Sequence, residues 1–270
     1  MVENIPPTTP AQRRQALESA GYNPFNVNAE DIDIDLLSDS GTGATSADQE
    51  SVAARSDETY AQSRIWKEFH AEVSDLTGYP YILPAHQGRG AERVVFPALL
   101  KPGQISVSNT HFDTTEANVL LAGCEIRNLP CVEAKDLDSQ YPFKGNIDLV
   151  ALESLLAGPD GSRVGLVLMT ITNNGGGGQP VSMANLQATK NLCQRFGVPM
   201  FLDAARFAEN AWLVTQREGM YENFTPRQVA TRAFEIADGC LVSLKKDGLS
   251  PEGAFIGLKD GDLAARCEAT

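Results

Sequence analysis

Apolar residues along this chain fall into short continuous runs separated by longer stretches at helical spacing. Ile105–Ser108, Val164–Thr170, Val198–Leu202 and Gly239–Leu244 are the short runs, rich in Val, Ile and Leu, and they read as buried strands. Trp66, Phe69, Val73 and Leu76 recur at helical spacing and predict a helix over Glu58–Leu76, with Trp66 and Phe69 in the core. A second helix is expected after Gln87-Gly88-Arg89-Gly90, through Val94 and Phe96, kinked or ended by Pro97. Met183, Leu186, Leu192 and Phe196 predict a third within Pro180–Phe196. Thr225-Pro226 reads as an N-cap followed by proline at the first position of a helix to Ile236. Continuous apolar strands alternating with helices are the pattern of a parallel sheet covered on both faces, an α/β fold.

The two ends read differently. Residues 1–30 form an arm with one helical stretch near Ala11–Ala20, and Ile32–Leu37 is a strand-like piece that opens into the polar turn Ser38–Gly43. Leu263–Thr270 is helix-like with no stop, so the sequence is expected to be incomplete at its C-terminus.

Charge and composition remove several classes. There are 35 acidic residues against 22 basic, a formal net charge of -13, which argues against nucleic acid and anionic membrane surfaces as partners. No apolar run is long enough to cross a bilayer and no signal peptide opens the chain, so a cytoplasmic location is expected. The five cysteines form no CxxC pair and read as reduced packing thiols, Cys240 in a buried strand among them. His70, His86 and His111 lack the spacing of a zinc site.

In open α/β sheets the chemistry gathers where strands end. Asp203 closes the run Val198–Leu202, with Arg206 three residues on; a buried carboxylate there needs a partner, either Arg206 or a protonated ring nitrogen of a cofactor. Lys245 and Lys246 follow Gly239–Leu244, where burial and like charge would depress an ammonium, unless both lysines are solvated. His86–Glu92 offers small residues and Arg89 at a helix start, a plausible phosphate cradle that is neither a Walker loop nor GxGxxG. Asn174 begins the loop with Gly175–Gly178, which suits close backbone approach to a ligand or an ordinary flexible loop. A phosphate cradle, then an acid, then a lysine is the chain order of an aminotransferase-like (fold-type I) pyridoxal-phosphate enzyme.

The chain resembles the β-eliminating lyase family of tryptophanase and tyrosine phenol-lyase. The matching stretches are Asp35–Gly43, His86–Glu92, Phe112–Thr115, Pro142–Asn146, Gly177–Asn185, Asp203 with Arg206–Asn210, and Ser243 with Lys245–Asp247, all in the family's order. The resemblance implies pyridoxal 5'-phosphate bound through a Schiff base to Lys246, with Lys245 as its polar neighbour. It implies phosphate contacts from Gln87, Gly88, Arg89 and Ser243, stacking by Phe112, and Asp203 at the ring nitrogen. Arg206 and Asn174 would contact the ring hydroxyl side. Tyr60 would be the catalytic proton donor, helped by Asp113; Ser38 and Ser40 would contact the substrate carboxylate; Gly41 and Glu58 would lie near a monovalent cation, K+. Phe112-Asp113 favours tryptophan over tyrosine within the family. Ser56 and Gln62 replace glycines common around the catalytic tyrosine.

The implied organisation is an arm with part of a small domain over 1–45, and over 46–270 a large cofactor domain, incomplete, with a mostly parallel sheet flanked by helices. The implied reaction is β-elimination of an aromatic amino acid, L-tryptophan to indole, pyruvate and ammonia, by a homo-oligomer, a tetramer at full length. The alternatives are tyrosine phenol-lyase or a threonine-aldolase-like lyase on the same fold, and a non-catalytic fragment serving as a folding or oligomerisation unit.

Overall fold

The structure is a computed structural model that describes residues 8–32, 39–40, 46–57, 61 and 63–270. In chain order the elements are α1 (Pro10–Ser19), α2 (Ala47–Ala53), α3 (Arg64–Thr77), β1 (Tyr81–Ala85), α4 (Gly88–Leu99), β2 (Ile105–Ser108), α5 (Asp113–Leu121) and β3 (Glu125–Asn128). They continue with α6 (Leu149–Ala157), β4 (Val164–Thr170), α7 (Met183–Phe196), β5 (Met200–Asp203), α8 (Phe207–Arg217), α9 (Pro226–Ile236), β6 (Gly239–Ser243), β7 (Ala254–Leu258) and α10 (Gly261–Glu268). The strands form one seven-stranded sheet in the order β1-β7-β6-β5-β4-β2-β3. Pairings from β3 to β6 are parallel, and β7 runs antiparallel to both neighbours.

Each face of the sheet has its own core. Side chains alternate along a strand, so Val167 and Met169 of β4 pack with α3, α6, α7, α8 and α9, while Leu166 and Leu168 pack with α4, α5 and α10. Trp66 and Phe69 lie against the first of these cores, partly buried, and Cys240 is fully buried within it.

Three expected boundaries move for local reasons. α3 starts at Arg64 and not at Glu58, because the Ser63 hydroxyl caps Trp66 N–H and the Asp57 carboxylate accepts from Arg64 and Ile65 N–H. Pro97 sits inside α4 and the helix runs on to Leu99: the proline withdraws only the N–H that Arg93 O would accept from, and the last turn still closes with Leu100 N–H on Phe96 O at 2.8 Å. α7 starts at Met183, where the Ser182 hydroxyl caps Asn185 N–H. The expected capping of α9 by Thr225 is present, as a full capping box with Gln228. α1 buries no residue. The strand-like piece Ile32–Leu37 and the turn Ser38–Gly43 lie largely outside the described residues.

Candidate active site

The sheet itself assembles the site. Antiparallel β7 between β1 and β6 makes those two strands run the same way, so Ala85, Ala254 and Ser243 fall in one row. The start of α4 is thereby laid beside the end of β6, tied by a hydrogen bond from Gly253 N–H to His86 O at 2.8 Å. In the next strands Thr170, Asp203 and Leu241 form a second row at the same edge. A cavity of about 560 Å³ opens over these strand ends.

Most sequence-derived candidates line this cavity: Gln87, Gly88, Arg89, Phe112, Asn174 and Asp203. Arg206, Ser243, Lys245, Lys246 and Ser40 complete that set. Asp113 does not line it. It is exposed at the first position of α5, between Phe112 and Thr114, which do, and its carboxylate accepts from Thr114 N–H at 2.6 Å. Ser38, Gly41, Glu58 and Tyr60 lie outside the described residues.

Lys246 is half buried, and its Nζ donates to the Ser40 hydroxyl at 2.9 Å. Burial lowers its proton affinity; Arg206 and Lys245 add to that, while Asp39 and Asp203 oppose it. Asp203 moves the other way. Burial raises its carboxyl to about 7, the Glu92 carboxylate adds to the rise, and Lys246 and Arg206 hold it back. The backbone N–H of Ala205 also favours its anion.

Arg206 does not pair with Asp203. Its guanidinium forks onto Asp39, with Nε to Oδ2 at 2.7 Å and Nη2 to Oδ1 at 3.0 Å. Burial pushes the Asp39 carboxyl up, but this fork outweighs it and the acid lies below its ordinary range.

The start of α4 is built for close approach. Gln87 provides no side-chain cap, which leaves first-turn N–H groups open to an anion. A Cβ on Gly88 would stand 3.1 Å from Ser243 Cβ, and one on Gly90 would stand 2.6 Å from the His86 ring. The glycine run at Gly175–Gly178 behaves differently from the expected close approach to a ligand. It closes a turn in which Gly177 and Gly178 have φ of 78° and 72°, Asn173 N–H donates to Gln179 O, and the glycines do not line the cavity.

Residues not singled out from the sequence also face the cavity, notably Asp39, Glu92, Thr114, Thr170 and Thr172. Glu92 carried a readable sign. It falls on the buried stripe of α4 with Ala91, Val95 and Phe96, and an acid on an apolar stripe calls for a purpose. The loops around the cavity are pinned by buried carboxamides. Asn109 holds Gly145 O and both N–H and O of Thr170; Asn146 accepts from Ser182 N–H; Asn210 holds both N–H and O of Val181. His111, beside Phe112, bridges Ser106 and the Asn128 carboxamide.

A lysine, a buried acid and an open helix start gathered at the ends of parallel strands are the apparatus of the aminotransferase-like fold, and solved structures of that fold superpose on this one. A putative aromatic amino acid β-eliminating lyase/threonine aldolase from Exiguobacterium sp. matches with a TM-score of 0.58 at 16% identity, over 85% of this chain and 60% of that one. A methionine aminotransferase from Escherichia coli matches with a TM-score of 0.52 at 13% identity, over 75% of this chain and 49% of that one. The profile of the β-eliminating lyase family matches residues 35–270, and the chain belongs to that family. It is 43% identical to a tryptophanase of Hyphomonas neptunium over 98% of this chain and 58% of that protein. It is 44% identical to a tryptophanase of Salinibacter ruber over 98% of this chain and 56% of that protein. The chain thus spans a little over half the length of the curated relatives it matches.

Proposed function

We propose that this chain is the cofactor-binding part of a pyridoxal-phosphate-dependent lyase that β-eliminates an aromatic amino acid, L-tryptophan being converted to indole, pyruvate and ammonia. The observation that carries this reading is the convergence of Lys246, Asp203 and the Gly88–Ser243 cradle on one cavity. Membership of the β-eliminating lyase family supports the reaction class, and the name of the tryptophanase relatives favours tryptophan as substrate.

The residues fit the cofactor. The gap at Gly88 would be filled by any side chain, and the open first turn of α4 with Arg89 suits a phosphate. Asp203 brings a half-buried carboxylate that accepts no side-chain hydrogen bond among the described residues, and a ring N–H would supply one. Thr172 Oγ1, buried beside the cavity, lacks any partner among the described residues.

When bound, pyridoxal phosphate supplies the electron sink that lets a proton leave the substrate Cα. Lys246 offers the amine that holds the cofactor covalently, its charge already disfavoured by burial. Asp203 would keep a proton on the ring nitrogen. Gln87, Gly88, Arg89 and Ser243 would hold the phosphate, Phe112 would cover the ring, and Arg206 and Asn174 would contact the ring hydroxyl. Ser38 and Ser40 are assigned to the substrate carboxylate, and Tyr60, with Asp113, to delivering a proton to the departing aromatic ring. K+ near Gly41 and Glu58, assembly into a homo-oligomer and a cytoplasmic location complete the proposal. Among the described residues no helix is long and apolar enough to cross a membrane.

The test is reconstitution. Addition of pyridoxal phosphate should give a near-visible absorbance band that survives dialysis in the wild type and is lost in Lys246→Ala; a band retained in that variant rejects the lysine assignment. Indole released from L-tryptophan supports the substrate, whereas phenol from L-tyrosine alone overturns it.

A further inference from the structure

The cavity holds a second buried acid that the reaction just proposed does not use. Glu92 is only 6% exposed and lies four residues beyond Gly88, on the same side of α4. Its Oε1 accepts from the Thr115 hydroxyl at 2.6 Å and the Thr114 hydroxyl at 3.2 Å, and its Oε2 accepts from Asn118 Nδ2 at 2.8 Å. All three donors belong to the first two turns of α5, whose N-cap is Phe112. Among the described residues all three hydrogen-bond partners of Glu92 are donors, which favours its ionised form, although burial outweighs them and leaves the carboxyl above its ordinary value.

Two features follow from this placement. Glu92 bolts the start of α4 to the start of α5, so the phosphate cradle and Phe112 are held as one unit. It also brings a second negative charge to the cavity of Asp203. We propose that Glu92 is a positioning residue of the cofactor site, fixing Phe112 relative to the Gly88–Arg89 cradle and adding its charge to that of Asp203 so that a cofactor ring nitrogen keeps its proton. The proposal rests on the cofactor reading above.

The surrounding charges set the sign. Lys246 and Arg206 face Asp203 and favour its anion, Glu92 disfavours it, and Arg89 is the cation nearest in effect to Glu92. Burial raises the Glu92 carboxyl, and its three donors and Arg89 act against that rise. With a protonated ring in place, the same Glu92 charge becomes favourable, because its counterpart is then a cation.

The experiment uses pyridoxine 5'-phosphate, which has the ring and phosphate but no aldehyde and so binds without Lys246 chemistry. Absorbance of the bound ring against pH gives the midpoint at which its nitrogen loses the proton. Glu92→Gln should lower this midpoint by about one unit, a roughly tenfold loss of proton affinity. Glu92→Asp, which keeps the charge and shortens the reach, should weaken binding and leave the midpoint in place. Thr115→Val removes the shortest hydrogen bond to Glu92, weakens its ionised form, and should move the midpoint the same way as Glu92→Gln; it decides the matter if Glu92→Gln does not fold. An unmoved midpoint in the folded variants overturns the proposal. Asp203→Asn separates the two readings. If it lowers the midpoint while Glu92→Gln does not, only the role of Glu92 falls. If neither variant changes it, or the wild type does not bind the probe, the cofactor reading falls as well.

Discussion

Arg206 and Asp39, 167 residues apart in sequence, are joined by a two-point ion pair at the mouth of the chemistry. It fastens the segment carrying Ser40 to the turn after β5, and it leaves Asp39 acting on Lys246 as a stabilising anion.

Asp39→Asn should therefore lower the proton affinity of Lys246 further. Capture of pyridoxal phosphate, followed by its absorbance against pH, should shift to lower pH. Asp39 is 48% exposed, so the loss of folding stability should stay near 0.5 kcal/mol in a denaturant titration.

Gly145 faces Gln179, and a Cβ there would stand 2.2 Å from Gln179 O and 2.7 Å from Pro180 O. Gly145→Ala should cost about 3 kcal/mol of stability, read as a lower urea midpoint, because two backbone segments would have to move apart.

His111 gives stability a pH signature. Its imidazole is buried, which lowers its pKa from 6.5 to about 4. Between those values the unfolded chain binds the proton and the folded one does not, so stability is lost as pH falls from about 6.5 to about 4. The contribution is up to about 3 kcal/mol. Urea titrations across that range should show a flatter slope in His111→Gln than in the wild type.

Asp203 works in the opposite direction. Its folded carboxyl is raised from 3.8 to about 7 by burial and Glu92. The folded chain holds the extra proton in that interval, so the empty site loses stability as pH rises through it. Asp203→Asn should stabilise the cofactor-free chain at pH 8 by about 2 kcal/mol while weakening cofactor binding, both measurable by thermal unfolding with and without pyridoxal phosphate.

The sequence showed best the elements whose own residues decide them. β4 is an apolar run that tertiary contacts could only confirm, and α9 carries its start in Thr225-Pro226. β1 and β3, the two edge strands, were not read as strands: Pro84 interrupts the short apolar stretch of β1, and β3 is the polar run Glu125-Ile126-Arg127-Asn128. β7 is apolar, but nothing in its residues says that it runs antiparallel; that direction comes from pairing with β1 and β6. For the site, Lys246 and Asp203 were readable because their neighbours are strands. Asp39 was not, since its meaning depends on Arg206 far along the chain. The family motifs at Pro142–Asn146 and Gly177–Asn185 looked unrelated in sequence and prove to be two sides of one backbone contact at Gly145.

The carboxamides of Asn109, Asn146 and Asn210 bridge backbone segments 29 to 61 residues apart. Each is buried, and each holds main-chain groups of a distant segment. The segments after β2, β3, β4 and β5 are thus members of one cooperative unit and not independent flaps. Amide hydrogens of Gly145, Thr170 and Val181 should exchange at a common slow rate set by opening of the whole sheet edge, and loss of any one carboxamide should accelerate all of them together.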